Sequence, residues 1–213
     1  MAQSLESIRR EYTASSLDEE DILPNPNEQF QQWLDAAFRA QILEPTAMTL
    51  ATTTKEAIPN ARIVLLKGFD ERGFVFFTNY ESKKGTELAE IPRATLLFYW
   101  KELERQVRIS GTVTQTTTEE SEVYFSTRPR ASQLAAWASR QSDTIANRLA
   151  LVREYERVRE RFSTGGVPVP PHWGGYRLLP TWFEFWQGRE NRLHDRIAYK
   201  KTIEGWNVLR LAP

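Results

Sequence analysis

The sequence predicts a mainly β fold with α-helices (α+β), an antiparallel barrel or sandwich that carries a helical insertion. About seven segments rich in β-forming residues occur along the 213-residue chain. Helical patterns occur only near the start, in one short connection and in the middle. No G-x-G-x-x-G or P-loop sequence follows any β-segment, so a parallel nucleotide-binding sheet is not indicated.

The N-terminal part is predicted to form a mobile arm followed by one helix. Residues 1–27 mix charge, serine and two prolines, Pro24 and Pro26, and lack an apolar pattern. Asn27 is the predicted N-cap of a helix that ends near Pro45. Its apolar positions recur at helical spacing: Phe30, Trp33, Leu34, Ala37 and Phe38. Residues 28–213 are expected to form a single domain.

Strands dominate the next part of the chain. The β-forming runs cover residues 48–54, 62–68, 74–78, 94–100 and 105–114, with a turn over 69–73. A short helix is predicted from Ser82 to Glu90, because Pro92 follows it.

The helical insertion follows, and then the strands return. One helix begins at Thr118 and ends before Pro129, and another covers residues 132–138. A longer helix is predicted from an apolar stripe: Ile145, Leu149, Val152, Tyr155 and Phe162. After a Gly- and Pro-rich loop, strands are predicted over 176–187, 196–201 and 206–211.

Composition excludes several classes of function. Lys plus Arg and Asp plus Glu both number 28, so the basic surplus typical of nucleic-acid binders is absent. The absence of cysteine excludes disulfides and thiolate chemistry, and two histidines, His172 and His194, make a metal site improbable. No apolar run approaches the roughly 20 residues that span a bilayer. We therefore expect a cytoplasmic protein with no metal, nucleic-acid or membrane partner.

Several short segments place cationic side chains where an anion can bind. Lys83 and Lys84 follow Ser82 at a predicted helix start, where free N–H groups favour an anion. Segments 126–130 and 140–142 combine arginine with hydroxyl groups. Arg62 and Lys67 are five positions apart, so a regular strand would point them to opposite faces. One pocket uses both only if the strand bends or lies between two bound groups.

A structural interpretation of the same residues remains open at this point. Cations at strand ends are usually only solvated, and the aromatic run from Trp182 to Trp186 is more typical of a core than of a cofactor wall. His194 alone is typical of a structural hydrogen bonder. From the residues alone, we expect a soluble β-rich domain, and whether its cationic segments bind phosphorylated ligands or are only solvated stays open.

Seven segments, in order along the chain, resemble the pyridoxine/pyridoxamine 5′-phosphate oxidase family. They are Arg62–Lys67 (RIVLLK), Leu103–Val107 (LERQV), Ser126–Gln133 (STRPRASQ), His172–Gly175 (HWGG), Glu184–Gly188 (EFWQG), Arg192–Arg196 (RLHDR) and Arg210–Pro213 (RLAP). The resemblance covers the chain from about Phe30 to the last residue. It implies an FMN-binding split β-barrel and a homodimer with two active sites at the subunit interface.

The resemblance also implies roles for particular residues. The implied FMN-binding residues are Arg62, Ile63, Val64, Leu65, Leu66, Lys67, Phe77, Thr78, Lys83, Lys84, Gln106, Gln141, Ser142, Trp186 and Arg196, of which Trp186 and Arg196 come from the partner chain. The implied substrate-binding residues are Lys67, Tyr124, Arg128, Ser132, Arg192 and His194, and the last two are the implied catalytic residues. Two departures stand out: Lys83 occupies a position where arginine is common, and Phe77 one where tyrosine is frequent.

The implied reaction oxidises pyridoxamine or pyridoxine 5′-phosphate to pyridoxal 5′-phosphate, with hydride transfer from C4′ to FMN and O₂ as the acceptor. Two alternatives are a split-barrel flavoprotein that uses a nicotinamide donor and a carrier of pyridoxal 5′-phosphate without flavin. The first has no need for Tyr124, Arg128, Ser132, Arg192 and His194 together, and the second would purify colourless.

Overall fold

A computed structural model describes residues 11–213 of the chain. Over that range the elements are α1 (Pro26–Arg39), β1 (Ala47–Thr53), β2 (Pro59–Leu65), β3 (Gly68–Asp70), β4 (Gly73–Asn79), α2 (Lys83–Glu90), β5 (Arg93–Trp100), β6 (Arg105–Gln115), α3 (Thr118–Thr127), α4 (Arg130–Ala138), α5 (Arg148–Arg161), β7 (Trp173–Gln187), β8 (Asp195–Lys201) and β9 (Trp206–Arg210). The predicted class, mainly β with helices, is confirmed. None of the helices in this range is both long and apolar enough to cross a bilayer.

The strands form one sheet in the order β2-β1-β5-β6-β7-β4-β3, and β8 and β9 extend from β7. The pairs β3–β4, β4–β7, β7–β8 and β8–β9 are antiparallel. Phe77 on β4 lies opposite Gly175 on β7, and Trp186 on β7 lies opposite Arg196 on β8. Each register sets which side chains of its own pair of strands share a face.

Backbone contacts divide the chain into two units. The first contains the described residues up to Thr49, with Thr95–Ser110 and Pro180–Pro213. Its core is aromatic: Phe30 packs on Phe98 at 5.0 Å between ring centroids, and Trp33 meets Phe185 edge-on at 5.2 Å. The apolar face of α1 thereby covers the inner residues of β5 and β7.

The second unit contains Leu50–Ala94 and Gly111–Leu179, which include α2 to α5. Local capping signals set its helix starts, since Thr117 and Glu120 form a capping box and Ser82 and Asn147 accept main-chain N–H bonds. A cluster of buried side chains packs the helices together: Phe125, Leu134, Ala138, Val158, Val167 and Trp173.

Several predicted boundaries were wrong. Asn25, not Asn27, caps α1, because Pro26 takes the first helical position, and α1 ends at Arg39 rather than near Pro45. Helix α5 begins at Arg148, so Ile145 lies outside it. Of the predicted stripe, Ile145, Leu149 and Val152 are exposed, and in α5 only Val158 is buried. Residue 69, predicted in a turn, belongs to β3.

The N-terminal arm is described in part. Residues 1–10 of the predicted arm lie outside the described residues. In the rest, Leu17 is buried, and the N–H of Ala14 donates to Oε2 of Glu104 at 2.9 Å. Mobility of residues 1–27, and the single-domain boundary at residue 28, stay predictions.

Candidate active site

A cavity of about 800 Å³ lies in the second unit, between β2, β4 and the helical insertion. It brings together thirteen of the residues that the sequence singled out: Arg62, Ile63, Val64, Leu65, Lys67, Phe77, Thr78, Lys83, Lys84, Tyr124, Arg128, Gln141 and Ser142. Leu66 is instead buried in the core, and Ser132 lies on α4 without lining the cavity. Gln106, Trp186, Arg192, His194 and Arg196 belong to the first unit.

The end of strand β2 explains how Arg62 and Lys67 share this cavity. The strand stops at Leu65, and Leu66 turns into the core with only 4% of its surface exposed. The main-chain N–H of Lys67 then donates to the carbonyl of Val75 at 2.8 Å. Because the regular alternation ends before Lys67, both cations line the same cavity despite their odd spacing.

Arg62 is fixed by a buried carboxylate on α2. Its Nη2 lies 3.3 Å from Oε2 of Glu87, and its Nη1 donates to the carbonyl of Leu50 at 3.1 Å. Glu87 is 3% exposed and also accepts hydrogen bonds from Thr52 and from Nδ2 of Asn60, the latter at 2.7 Å. The guanidinium is therefore held in one orientation at the cavity wall.

Helix α2 begins at the cavity and carries a buried lysine. Nζ of Lys84 donates to Gln141 Oε1 at 2.7 Å, and to Thr78 Oγ1 and Ser82 Oγ at 3.1 Å each. All three acceptors are uncharged. Burial, together with the nearby charge of Arg62, lowers the pKa of Lys84 to about 8, and Glu87 opposes that shift. A bound anion would stabilise the charged form of Lys84 and so raise this pKa again.

The neighbouring wall is an aromatic stack that carries a second cation. Phe77 stacks on Tyr124 at 4.0 Å between centroids and on Trp173 at 5.4 Å. The guanidinium of Arg128 lies 4.8 Å from the Trp173 ring, and burial lowers its pKa. Among the described residues its buried Nη1 has no hydrogen-bond partner. Phe77 thus contributes a stacking surface, so a phenol at this position is not needed for the stack.

The loop between β7 and β8, in the first unit, holds Arg192 and His194. Asn191 and Arg192 both have left-handed backbone, with φ of +54° and +61°. Such strain at a non-glycine residue costs about 1–3 kcal/mol and is typical of functional sites. The main-chain N–H of Arg189 donates to Nδ1 of His194 at 3.0 Å, and the rings of Trp186 and His194 lie 4.7 Å apart.

Arg196 is held by a second buried glutamate. Nε and Nη2 of Arg196 donate to Oε1 of Glu184 at 3.0 and 2.8 Å, and Arg108 also contacts this carboxylate. Glu184 is 3% exposed. The fork of Arg196 is therefore oriented by its own strand neighbour, since β7 and β8 pair here.

Sequence reasoning missed the residues that position others. Glu87, Trp173 and Glu184 support Arg62, Arg128 and Arg196. For Glu87 the sequence does contain an indication, because it lies one helical turn after Lys84 on the predicted helix and so on the same helix face. Trp173 and Glu184 lie inside the segments HWGG and EFWQG that carry the family resemblance, but their sequence context does not indicate a role for either residue. Tyr12 was also missed, and its ring lies 5.7 Å from those of Trp186 and His194.

The donor set fits phosphorylated ligands better than a metal. The cavity is lined by five cations, Arg62, Lys67, Lys83, Lys84 and Arg128, and the buried Nη1 of Arg128 has no hydrogen-bond acceptor among the described residues. Within residues 11–213, no cluster of three or more histidine or acidic side chains is arranged to hold a metal ion. Arginine and lysine offer the donors that phosphate oxygens accept.

Comparison with known proteins identifies two matching family profiles. Residues 34–162 match the profile described as pyridoxamine 5′-phosphate oxidase. Residues 173–213 match the pyridoxine 5′-phosphate oxidase C-terminal dimerisation region. Together these profiles account for most of the described chain.

Curated relatives match over their whole length. Pyridoxine/pyridoxamine 5′-phosphate oxidase of Rubrobacter xylanophilus is 54% identical over 211 residues, which are 99% of this chain and 97% of that protein. The protein of the same name from Cyanothece sp. is 53% identical over 213 residues and covers 100% of both chains.

Two solved structures are similar to this one. The first, PhzG from Burkholderia lata 383 in complex with tetrahydrophenazine-1-carboxylic acid, has a TM-score of 0.86 and 32% identity, and the match covers 91% of this chain and 95% of that one. The second is a pyridoxamine 5′-phosphate oxidase-related, FMN-binding protein from Nostoc punctiforme, with a TM-score of 0.69, 17% identity and coverage of 91% and 99%. The second likeness supports the fold alone.

Proposed function

Because the chain belongs to the pyridoxamine 5′-phosphate oxidase family, we propose that it oxidises pyridoxamine 5′-phosphate and pyridoxine 5′-phosphate to pyridoxal 5′-phosphate. The cofactor is FMN. When bound, FMN would supply the redox chemistry of this oxidation, with O₂ as the final electron acceptor and H₂O₂ as its product. The amine substrate also consumes water and releases ammonia.

The observation that carries this proposal is a single cavity lined by five cations, which we divide into two groups. Arg62, Lys83 and Lys84 form one group, and we assign them to the FMN phosphate. Lys67 and Arg128, with Tyr124 beside them, form the other, and we assign it to the substrate phosphate. A neutral chain can bind two phosphorylated molecules in this way because the positive charge is local.

The remaining site residues are assigned by family membership. Thr78, Gln141 and Ser142 surround Lys84 or the start of α2, which supports a role in holding the cofactor phosphate. Ser132 lies in the first turn of α4 and Arg128 just before that helix, which is compatible with a shared phosphate site. Gln106 is proposed as a further FMN contact. Leu66 lies in the core, so we restrict its proposed role to the main chain.

We propose that the active unit is a homodimer with two interface sites. The supporting observation is that the matched dimerisation region, residues 173–213, contains Trp186, Arg192, His194 and Arg196. Trp186 and Arg196 are proposed to reach the FMN of the partner chain, and Arg192 and His194 to lie over the substrate ring. A cytoplasmic location stays a prediction.

The chain's own residues hold and orient the reactants. Two fixed phosphates would hold C4′ at one distance from the flavin, which contributes through proximity. Arg192 is proposed to orient the C4′ substituent and not to remove its proton. An arginine side chain stays protonated at neutral pH and therefore has no free lone pair to act as a base. Its left-handed backbone fixes the direction of the side chain from the loop.

A visible spectrum of the purified protein tests this function. The expected result is a flavin spectrum that bleaches on anaerobic addition of pyridoxamine 5′-phosphate and recovers in air, with pyridoxal 5′-phosphate formed. A flavin that stays oxidised would transfer the assignment to another split-barrel oxidoreductase, for which a nicotinamide donor is the next substrate to try. A colourless protein that also fails to bind added FMN would favour a carrier.

A further inference from the structure

The His194 ring makes one hydrogen bond with the described residues, and that bond defines its protonation. The donor is the main-chain N–H of Arg189 and the acceptor is Nδ1 of His194, at 3.0 Å. A main-chain N–H can only donate, so Nδ1 must present a lone pair. A neutral imidazole with a lone pair at Nδ1 carries its proton on Nε2. Protonation of Nδ1 would break this bond.

The loop around this bond is held from two sides. Nη1 of Arg189 donates to Oδ2 of Asp195 at 3.1 Å, and Nη1 of Arg210 donates to Oδ1 at 2.9 Å. The N–H of Leu17 also donates to Oδ2 of Asp195, at 3.1 Å. Asp195 thus links the residue that donates to His194 to strand β9 and to the N-terminal segment. The N–H of Arg189 has little freedom to turn away from the ring.

We infer that His194 acts in the oxidation as a neutral hydrogen-bond donor through Nε2–H, and that the main-chain N–H of Arg189 holds it in this tautomer. The inference rests on the proposed function, which places His194 over the substrate. The acceptor would be an oxygen or nitrogen lone pair of the substrate. Nε2 already carries a proton, so it is not available to remove one from the substrate, and Nδ1 is occupied.

The surroundings of the ring favour this state. The imidazole ring of His194 packs against two aromatic rings, with centroid distances of 4.7 Å to Trp186 and 5.7 Å to Tyr12. Partial burial and the charge of Arg192 lower the pKa of His194, and Asp195 opposes the shift. A donor that is neutral can polarise a substrate atom without adding a full positive charge beside Arg192.

The tautomer can be measured directly, because the chain contains only two histidines, His172 and His194. The protein labelled with ¹⁵N-histidine, as purified and without substrate, is examined by NMR at mildly alkaline pH, and His172→Gln assigns the remaining signals to His194. We expect a pyridine-like shift at Nδ1 and a pyrrole-like shift at Nε2. A pyrrole-like Nδ1, alone or with Nε2, would overturn the assignment.

Two substitutions test the donor role in turnover. In His194→Gln the side-chain amide reaches the region of Nε2–H and can still donate, whereas in His194→Asn it reaches only the region of Nδ1. We expect His194→Gln to retain about tenfold more kcat/KM than His194→Asn, the effect of one hydrogen bond of about 1.4 kcal/mol. Equal losses in both variants would overturn the donor role. A wild-type protein without oxidase activity would count against the proposed function but would leave the NMR result unaffected.

Discussion

The FMN affinity of the apoprotein should depend on pH through Lys84. Its Nζ is buried among three uncharged acceptors, and burial with the Arg62 charge lowers its pKa to about 8. A phosphate beside Nζ favours the charged form and so raises this pKa in the complex. Binding above pH 8 therefore requires uptake of a proton, and affinity falls as the pH rises.

The size of the effect follows from the fraction of Lys84 that is charged. With a pKa of about 8, roughly nine-tenths of Lys84 is protonated at pH 7 and roughly one-tenth at pH 9. If the pKa in the complex is about 10 or higher, the dissociation constant for FMN increases about tenfold between these pH values. The phosphate itself does not change, because its second pKa is about 6.

The assay is titration of apoprotein with FMN, followed by quenching of flavin fluorescence, at pH 7, 8 and 9. Riboflavin, which lacks the phosphate, is the ligand control and should bind with no such slope. Lys84→Met should remove the slope and weaken binding at pH 7 by about 1.5–3 kcal/mol, or roughly 10- to 150-fold. Lys83→Met is the matched variant, because Lys83 is exposed at the same helix start, and it should keep the slope.

Two results would refute this reasoning. A dissociation constant for FMN that is constant from pH 7 to 9 would mean that Lys84 does not titrate against the phosphate. An equal slope for riboflavin would place the titrating group at the flavin ring instead. If Lys84→Met also bound FMN as tightly as the wild type at pH 7, Lys84 would be removed from the proposed phosphate site.

Three further predictions concern single substitutions. Arg128→Ala should weaken substrate binding by about 1.5–3 kcal/mol, seen as a higher KM, and a protein that loses its yellow colour would contradict the separation of the two phosphate sites. Arg192→Lys should lower kcat, because a lysine lacks the planar fork, and unchanged turnover would exclude a role at C4′. Gly85→Ala should lower the free energy of unfolding in urea by about 1–3 kcal/mol, since a Cβ there would lie 2.0 Å from the carbonyl oxygen of Tyr80, while Gly68→Ala, with no atom within 4 Å, should have a much smaller effect.

Local sequence patterns predicted the type and order of most elements but not their exact ends. The start of α1 illustrates this, because Asn25 and Asn27 flank Pro26 and either asparagine can cap a helix. The preference of proline for the first helical position decides for Asn25. The stripe on α5 shows a different limit. Periodicity identified an apolar face, yet Leu149 and Val152 on that face are exposed. The spacing of apolar residues along a helix does not show whether another part of the chain covers them.

The candidate site shows the same distinction between local and long-range information. Several of the residues proposed to meet ligands lie in the seven segments that carry the family resemblance, whereas the residues that orient them depend on contacts between distant segments. Glu87 reaches Arg62 across 25 positions, and Trp173, at the start of β7, lies against Arg128, which directly follows α3. The spacing of Arg62 and Lys67 suggested opposite faces, and only the end of β2 at Leu65 reconciles them. No local rule predicts where a strand stops against its neighbours.

The distribution of charge shows how a neutral chain forms sites for anions. Glu87 and Glu184 are buried beside Arg62 and Arg196. Each carboxylate fixes the orientation of its guanidinium but also neutralises the positive charge locally. Lys84 and Arg128 are different, since neither forms an ion pair within residues 11–213, and burial lowers the pKa of each. Two desolvated cations destabilise the empty protein, and bound phosphates would remove that cost. If Lys84 and Arg128 meet phosphates as proposed, ligand binding should therefore raise the stability of the fold as well as complete the site.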